Sequence, residues 1–105
     1  MELKGIVACP GIATGKVYIA KDWCQDSRDM NEGQVLVMKF STPAFYEFFL
    51  KASAIVTQTG GITCHAASLS RDLNLPCVVS VENILELVKN GDIITVDAQN
   101  GVIYV

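Results

Sequence analysis

Ala54-Ile55-Val56-Thr57-Gln58-Thr59-Gly60-Gly61-Ile62-Thr63-Cys64-His65-Ala66-Ala67-Ser68-Leu69-Ser70-Arg71-Asp72-Leu73-Asn74-Leu75-Pro76-Cys77-Val78-Val79 is the stretch whose reading decides the fold. Residues 54–57 form a short apolar, partly β-branched run, which predicts a buried strand. Gly60 and Gly61 then permit a tight backbone path. From about Cys64 to Asn74, Ala66, Leu69 and Leu73 recur at helical spacing while Ser70, Arg71 and Asp72 can stay wet, and Pro76 stops any continuation. Cys77-Val78-Val79 is a further short strand. Strand, glycine loop, amphipathic helix and strand in succession predict a mixed α/β protein.

Elements of the same class lie on both sides of this stretch. Upstream, Gly5-Ile6-Val7-Ala8 and Lys16-Val17-Tyr18-Ile19-Ala20 predict two strands around a structured loop, Cys9-Pro10-Gly11-Ile12-Ala13-Thr14-Gly15. Residues 22–33 are polar and acidic, with Trp23 and Met30 the large apolar exceptions, and predict a surface loop. Gln34-Val35-Leu36-Val37-Met38 predicts a buried strand. Ser41 or Thr42 before Pro43 is a good helix start, because the hydroxyl can cap free amides and proline is tolerated in the first turn. That helix runs to about Lys51, and its Phe45-Tyr46-Glu47-Phe48-Phe49 segment is unusually aromatic, mostly core with room for one exposed ring. Downstream, residues 82–89 predict an amphipathic helix closed by Asn90-Gly91. Ile93-Ile94-Thr95-Val96 and Val102-Ile103-Tyr104-Val105 flank an Asn100-Gly101 turn and predict a hairpin. With no repeat, linker or low-complexity tract, residues 1–105 read as one domain.

Composition narrows the function. Half of the 105 residues are apolar, enough for one core and too few for two. Charged residues make up 18% and the net charge is −3, so no broad cationic surface exists for a nucleic-acid backbone or an anionic membrane. Neither partner is expected. No apolar stretch approaches the roughly 20 residues that span a bilayer. Cys9, Cys24, Cys64 and Cys77 are widely spaced and form no cluster of the kind that encloses zinc, so no metal site is expected. The absence of a signal-peptide pattern predicts a soluble, reduced, cytoplasmic protein.

The sole histidine, His65, stands where strand, glycine loop and helix meet. The first amides of a helix lack intrahelical partners and that end of the dipole is partly positive, so an oxyanion near His65 would find backbone donors. Gly60 and Gly61 have no side chain to block its approach, and Thr63 supplies a hydroxyl that can donate to a phosphoryl oxygen, cap the helix or hold the non-reacting ring nitrogen. A histidine attacking phosphorus must offer an unprotonated nitrogen, and its other nitrogen needs a partner to fix the tautomer. On the residues alone, a histidine that merely packs or caps stays equally open. Cys64 and His65 do not form a thiol and base pair, since adjacent residues at a helix start point about 100° apart; Cys64 reads as a small residue filling the loop. Arg71, six residues along and about 9 Å away, is read as a solvated or partner-facing charge, with approach to phosphate the alternative. Asp92 and Asp97 straddle a strand and serve turns.

The segment Gly60-Gly61-Ile62-Thr63-Cys64-His65-Ala66-Ala67, continued by Ser70-Arg71-Asp72-Leu73-Asn74-Leu75-Pro76-Cys77-Val78-Val79, resembles the phosphohistidine signature of phosphoenolpyruvate synthase and pyruvate phosphate dikinase. Residues 5–15 resemble the opening of the same domain, and 91–97 with 101–104 its end, so the resemblance covers essentially the whole chain. It implies a single β/β/α swivelling phosphohistidine domain, an architecture shared with enzyme I of the sugar phosphotransferase system and with rifampin phosphotransferase. It also implies that His65 accepts a phosphoryl group and passes it between partner domains, making the chain a phosphotransferase component that is incomplete alone. The partners implied are an ATP-grasp nucleotide-binding domain and a phosphoenolpyruvate/pyruvate-type or other acceptor domain, in cis or in trans. Magnesium and ATP or phosphoenolpyruvate are then bound there, with no cofactor on this domain. Thr63 matches a threonine that is phosphorylated in some relatives to switch activity off. Asn74, Ser80 and Ser68 depart from the usual pattern and bear on partner identity. The alternative is a regulatory or scaffold module that keeps the fold without turning over phosphate.

Overall fold

The computed structural model of the chain describes residues 1–20, 27–41 and 43–105. Trp23, Cys24 and Thr42 lie outside them, as do residues 22–26 of the loop expected over 22–33, of which Ser27–Asp29 forms a 3-10 turn.

Among the described residues, eight strands are joined in the order β1-β8-β7-β3-β4-β5-β6-β2. They are β1 (Glu2–Lys4), β2 (Ile6–Cys9), β3 (Ile12–Ala20), β4 (Val35–Met38), β5 (Ala54–Thr57), β6 (Cys77–Val79), β7 (Ile93–Asp97) and β8 (Val102–Tyr104). Among the same described residues, three α-helices accompany them, α1 (Tyr46–Lys51), α2 (His65–Leu73) and α3 (Ile84–Leu87). The nine-residue β3 belongs to two leaves. Its first half pairs antiparallel with β7, Ile12 opposite Asp97 and Lys16 opposite Ile93; its second half pairs parallel with β4, Val17 opposite Val35 and Ala20 opposite Met38. From there β4, β5 and β6 continue in parallel, and β2 closes that edge antiparallel to β6.

Period-two alternation on the parallel strands explains the layering. Leu36, Met38, Ile55, Cys77 and Val79 face one side, where they pack with Phe45, Phe48 and Phe49 around α1 and with Ala66 and Ala67 of α2. Val35, Val37, Ala54, Val56 and Val78 face the other, against Ile94, Val96 and Ile103 of the β7-β8 leaf and Ile84 at α3. Strands covered on both faces must read as continuous apolar runs, as these do. Sheet on sheet with helices on the far side is the expected β/β/α architecture. Within the aromatic segment, Phe45, Phe48 and Phe49 are buried and Tyr46 is the exposed ring. No helix among the described residues is long and apolar enough to cross a membrane.

Four expectations change. Residues 12–15 are strand instead of loop, because β7 supplies a ladder that their glycine and threonine content does not announce. Glu2–Lys4 forms an additional strand on β8, beyond which Met1 and Val105 exchange hydrogen bonds, Val105 N donating to Met1 O at 3.0 Å and the terminal ammonium to Val105 O at 3.2 Å. The helix expected over 82–89 shrinks to one turn, because Asn83 adopts a left-handed φ of 63° before it and Val88 is already extended after it. Ser70, expected to stay wet, is buried where α2 meets the sheet.

Candidate functional site

Loops that follow adjacent parallel strands converge at the strands' carboxyl ends, the usual location of sites in α/β sheets. Here the loop after β4 carries Phe40 and Ser41, and the loop after β5 carries the glycines and leads to His65, the first residue of α2. The two loops are laced together at their base. Gln58 N donates to Met38 O at 2.9 Å, Thr59 N and Thr59 Oγ1 both donate to Lys39 O at 2.9 Å, and Thr57 Oγ1 donates to Thr59 O at 2.7 Å.

That lacing brings Ser41 to His65. Ser41 Oγ and His65 Nδ1 lie 2.8 Å apart in a hydrogen bond whose donor is set by the ring's tautomer. The ring edge meets the buried Phe49, with centroids 6.2 Å apart and planes at 74°. His65 is therefore half-buried, where an exposed imidazole was expected. Two of its sides are fixed, and Nε2 has no hydrogen-bond partner among the described residues.

The helix start behaves as backbone physics requires. Cys64 is the N-cap with an extended backbone and no side-chain cap bond. Its carbonyl accepts from Ser68 N at 3.0 Å, while the amides of His65, Ala66 and Ala67 meet no acceptor among the described residues. At the other end Asn74 takes the left-handed conformation that closes α2, with the cap amides donating to Arg71 O and Ser70 O.

The remaining predicted site residues divide. Gly60 has φ +110°, a conformation that strains any other residue, and a Cβ there would stand 3.0 Å from Cys64 Sγ, a tight contact that would push the sulfur aside. Gly61 has open space where a Cβ would be. Cys64 fills the loop as expected and is a free, half-buried thiol. Thr63 is exposed, and its hydroxyl neither caps α2 nor reaches the ring, both of which had been open to it. Ser41 holds the ring instead. It had been read only as a possible cap for the helix that follows, but α1 starts at Tyr46, its N-cap Phe45 makes no side-chain cap bond, and Thr42 lies outside the described residues. Arg71 is exposed, as the reading of a solvated charge expected, and its guanidinium is also tied to the fold: Nε donates to Ala8 O at 2.9 Å and a terminal nitrogen to Ile62 O at 2.6 Å. Asp92 and Asp97 serve turns, Asp92 accepting from Lys89 N and Asp97 from Gln99 N and from both nitrogens of Asn100. Behind the site, burial pushes the Cys77 thiol up to about 12, outweighing the lowering influence of the adjacent Ser70 hydroxyl. The described residues contain no group of three or more His, Cys, Asp or Glu that would hold a metal ion.

Solved structures share this architecture. Aconitase X of Thermococcus kodakaraensis superposes with a TM-score of 0.73 over 99% of this chain and 97% of that one, at 18% identity, a likeness of fold alone. An NMR structure of Enzyme I matches with a TM-score of 0.64 and 30% identity over 75% of this chain and 33% of that chain. In sequence, the chain is 42% identical to a probable phosphoenolpyruvate synthase of Archaeoglobus fulgidus over 97% of its length, and 39% identical to the phosphoenolpyruvate synthase of Aeropyrum pernix over the same share. It is 44% identical over 96% of its length to YvkC of Bacillus subtilis, an uncharacterised phosphotransferase. It spans 13% of the first of these proteins and 12% of the other two. Residues 30–101 match the family described as the mobile domain of PEP-utilising enzymes. The histidine-bearing loop falls inside the matched residues, and the chain belongs to that mobile-domain family.

Proposed function

We propose that the chain is a phosphoryl carrier in which His65 Nε2 is the acceptor atom. One observation carries the reading: Nδ1 is engaged by Ser41, leaving Nε2 without a protein partner at a helix start whose first amides are also unpaired. When Nδ1–H donates to Ser41 Oγ, the lone pair resides on Nε2. Nε2 then bonds to phosphorus as the bond from phosphorus to the donor oxygen breaks, that oxygen leaving with the electron pair. The Nδ1 proton stays between ring and serine. In the second step an acceptor oxyanion bonds to phosphorus, the nitrogen–phosphorus bond breaks, and Nε2 regains its lone pair. Unpaired amides at the start of α2 suit the charge of the phosphohistidine between the two steps.

Because the chain is about an eighth of the length of these relatives, donor and acceptor sites are assigned to other domains. By similarity to phosphoenolpyruvate synthases these are an ATP-grasp domain and a phosphoenolpyruvate/pyruvate-type domain, with ATP or phosphoenolpyruvate and the magnesium ion bound there. The exposed Phe40 and Ile62 next to the site give those partners an apolar surface to meet. Thr63, exposed and two residues from His65, is accessible to a regulatory kinase, and a phosphate there would set about two negative charges near the acceptor. Pyruvate phosphate dikinase chemistry and a cytoplasmic location belong to the same reading.

The test is incubation with cognate partner domains and 32P-labelled ATP or phosphoenolpyruvate. An acid-labile, base-stable label on the wild-type chain and none on a folded His65→Ala variant is the expected result. Equal labelling of that variant would move the acceptor elsewhere, and no label from any donor would make the chain a scaffold module.

A further inference from the structure

Arg71 is engaged in a way that carrier chemistry by His65 does not by itself explain. It sits six residues beyond His65 on α2, yet helical side chains lean toward the amino terminus, and its guanidinium reaches back to the loop that precedes the helix. There it joins two carbonyls from different parts of the fold. Ala8 O belongs to the edge strand β2 at the irregularity where the register with β6 shifts between Val7 and Cys9. A residue at such a bulge is released from the ladder and can aim its carbonyl elsewhere. Ile62 O belongs to the turn closed by Cys64 N donating to Gly61 O at 3.1 Å. The Ile62–Thr63 peptide is the central unit of that turn, the one whose rotation separates one β-turn type from another.

We propose that Arg71 is a positioning residue for phosphoryl acceptance, fixing the Ile62–Thr63 peptide so that the Thr63 amide is presented to the phosphoryl group on His65. A trans peptide is planar, with C=O and N–H pointing in opposite directions. Drawing Ile62 O toward the guanidinium turns the Thr63 N–H away from it. That amide has no acceptor among the described residues, so it joins those of His65, Ala66 and Ala67 as a free donor. Thr63 is not among the residues with positive φ, which agrees with a single orientation of the turn. Lysine cannot replace this function, because one ammonium lacks the planar fork that spans two fixed carbonyls. The inference rests on the carrier reading and adds to it the means by which the loop keeps its shape.

Phosphoramidate provides a test that needs no partner domain. The imidazole nitrogen forms its bond to phosphorus as the phosphorus–nitrogen bond of phosphoramidate breaks, and ammonia leaves with the electron pair. Labelling of the 105-residue chain is followed by phosphorus NMR, and the Thr63 amide by proton–nitrogen correlation spectra before and after labelling. In the wild type, phosphorylation should move the Thr63 amide downfield. In Arg71→Ala and Arg71→Lys the shift should be lost and labelling slowed about tenfold, near the lower limit for removing a hydrogen bond to a charged group. Methylguanidinium should restore both in Arg71→Ala and neither in Arg71→Lys, a rescue that a loss of fold stability would not show. Wild-type labelling at His65 with unchanged rate and unchanged Thr63 shift in both variants would overturn the role of Arg71 alone. Failure of the wild-type His65 to label would overturn the carrier reading and this inference with it.

Discussion

Removing one hydroxyl should separate the orienting of His65 from its burial. In Ser41→Ala the 2.8 Å contact with Nδ1 disappears while Phe49 remains against the ring edge. A typical intramolecular hydrogen bond contributes about 0.5–1.5 kcal/mol net, which converts to roughly a twofold to thirteenfold change in an equilibrium between two states. The relevant equilibrium is between the tautomer that carries its proton on Nδ1 and the one that carries it on Nε2. Only the first has a lone pair at the atom facing the donor, so the phosphorylation rate should fall with the population of that tautomer, by at most this roughly twofold to thirteenfold factor. Ser41→Thr keeps the hydroxyl and should stay near the wild-type rate. Nitrogen-15 shifts of the ring measure the tautomer ratio directly, and rapid-quench phosphorylation by a partner domain measures the rate. The reasoning fails if the wild-type ring is protonated mainly on Nε2, or if Ser41→Ala shifts the tautomer ratio without slowing transfer.

Three further outcomes follow from the same loops and the layer beneath them. Gly60→Ala should lower stability by about 1–3 kcal/mol in thermal melts, because its left-handed φ and the Cys64 sulfur both oppose a Cβ, whereas Gly61→Ala should cost little. Burial raises the Cys77 thiol to about 12, so between pH 9 and 12 the folded chain keeps a proton that the unfolded chain releases, and stability falls as pH rises through that window. Urea midpoints at pH 8, 9.5 and 10.5 should show this loss, with a shallower slope in Cys77→Ala. At pH 8, iodoacetamide should modify Cys64 before the buried Cys9 and Cys77, read by mass spectrometry.

Much of the fold was legible because alternation and composition agreed locally. Val35-Leu36-Val37-Met38 sends successive side chains into two different cores, so an unbroken apolar run was the correct sign of a strand buried on both faces. The errors arose where tertiary contacts outweigh local preference. Residues 12–15 became strand because β7 offers them a ladder, and Glu-Leu-Lys at positions 2–4 became strand on the strength of pairing with β8 alone. For 82–89 the amphipathic pattern was genuine, but the left-handed Asn83 admits only one turn. In the site, His65 stood out through its glycine loop and helix. Ser41 did not, since 24 residues separate it from His65 and only the adjacency of β4 and β5 unites them. Its neighbouring proline offered a simpler explanation as a helix cap. The two carbonyl contacts of Arg71 were not legible, because axial distance along a helix ignores how far a long side chain reaches backward.

The mutual hydrogen bonds of Met1 and Val105 have a mechanical consequence. Flanking polypeptide attached at both residues would emerge through one narrow neck instead of from opposite poles. A body tethered that way can turn about a single pivot without twisting its own sheet, since β3 welds both leaves together. If the chain acts as the proposed carrier, reorientation resides in the tether, and the ring, its serine and the loop would keep their mutual geometry between one partner site and the next.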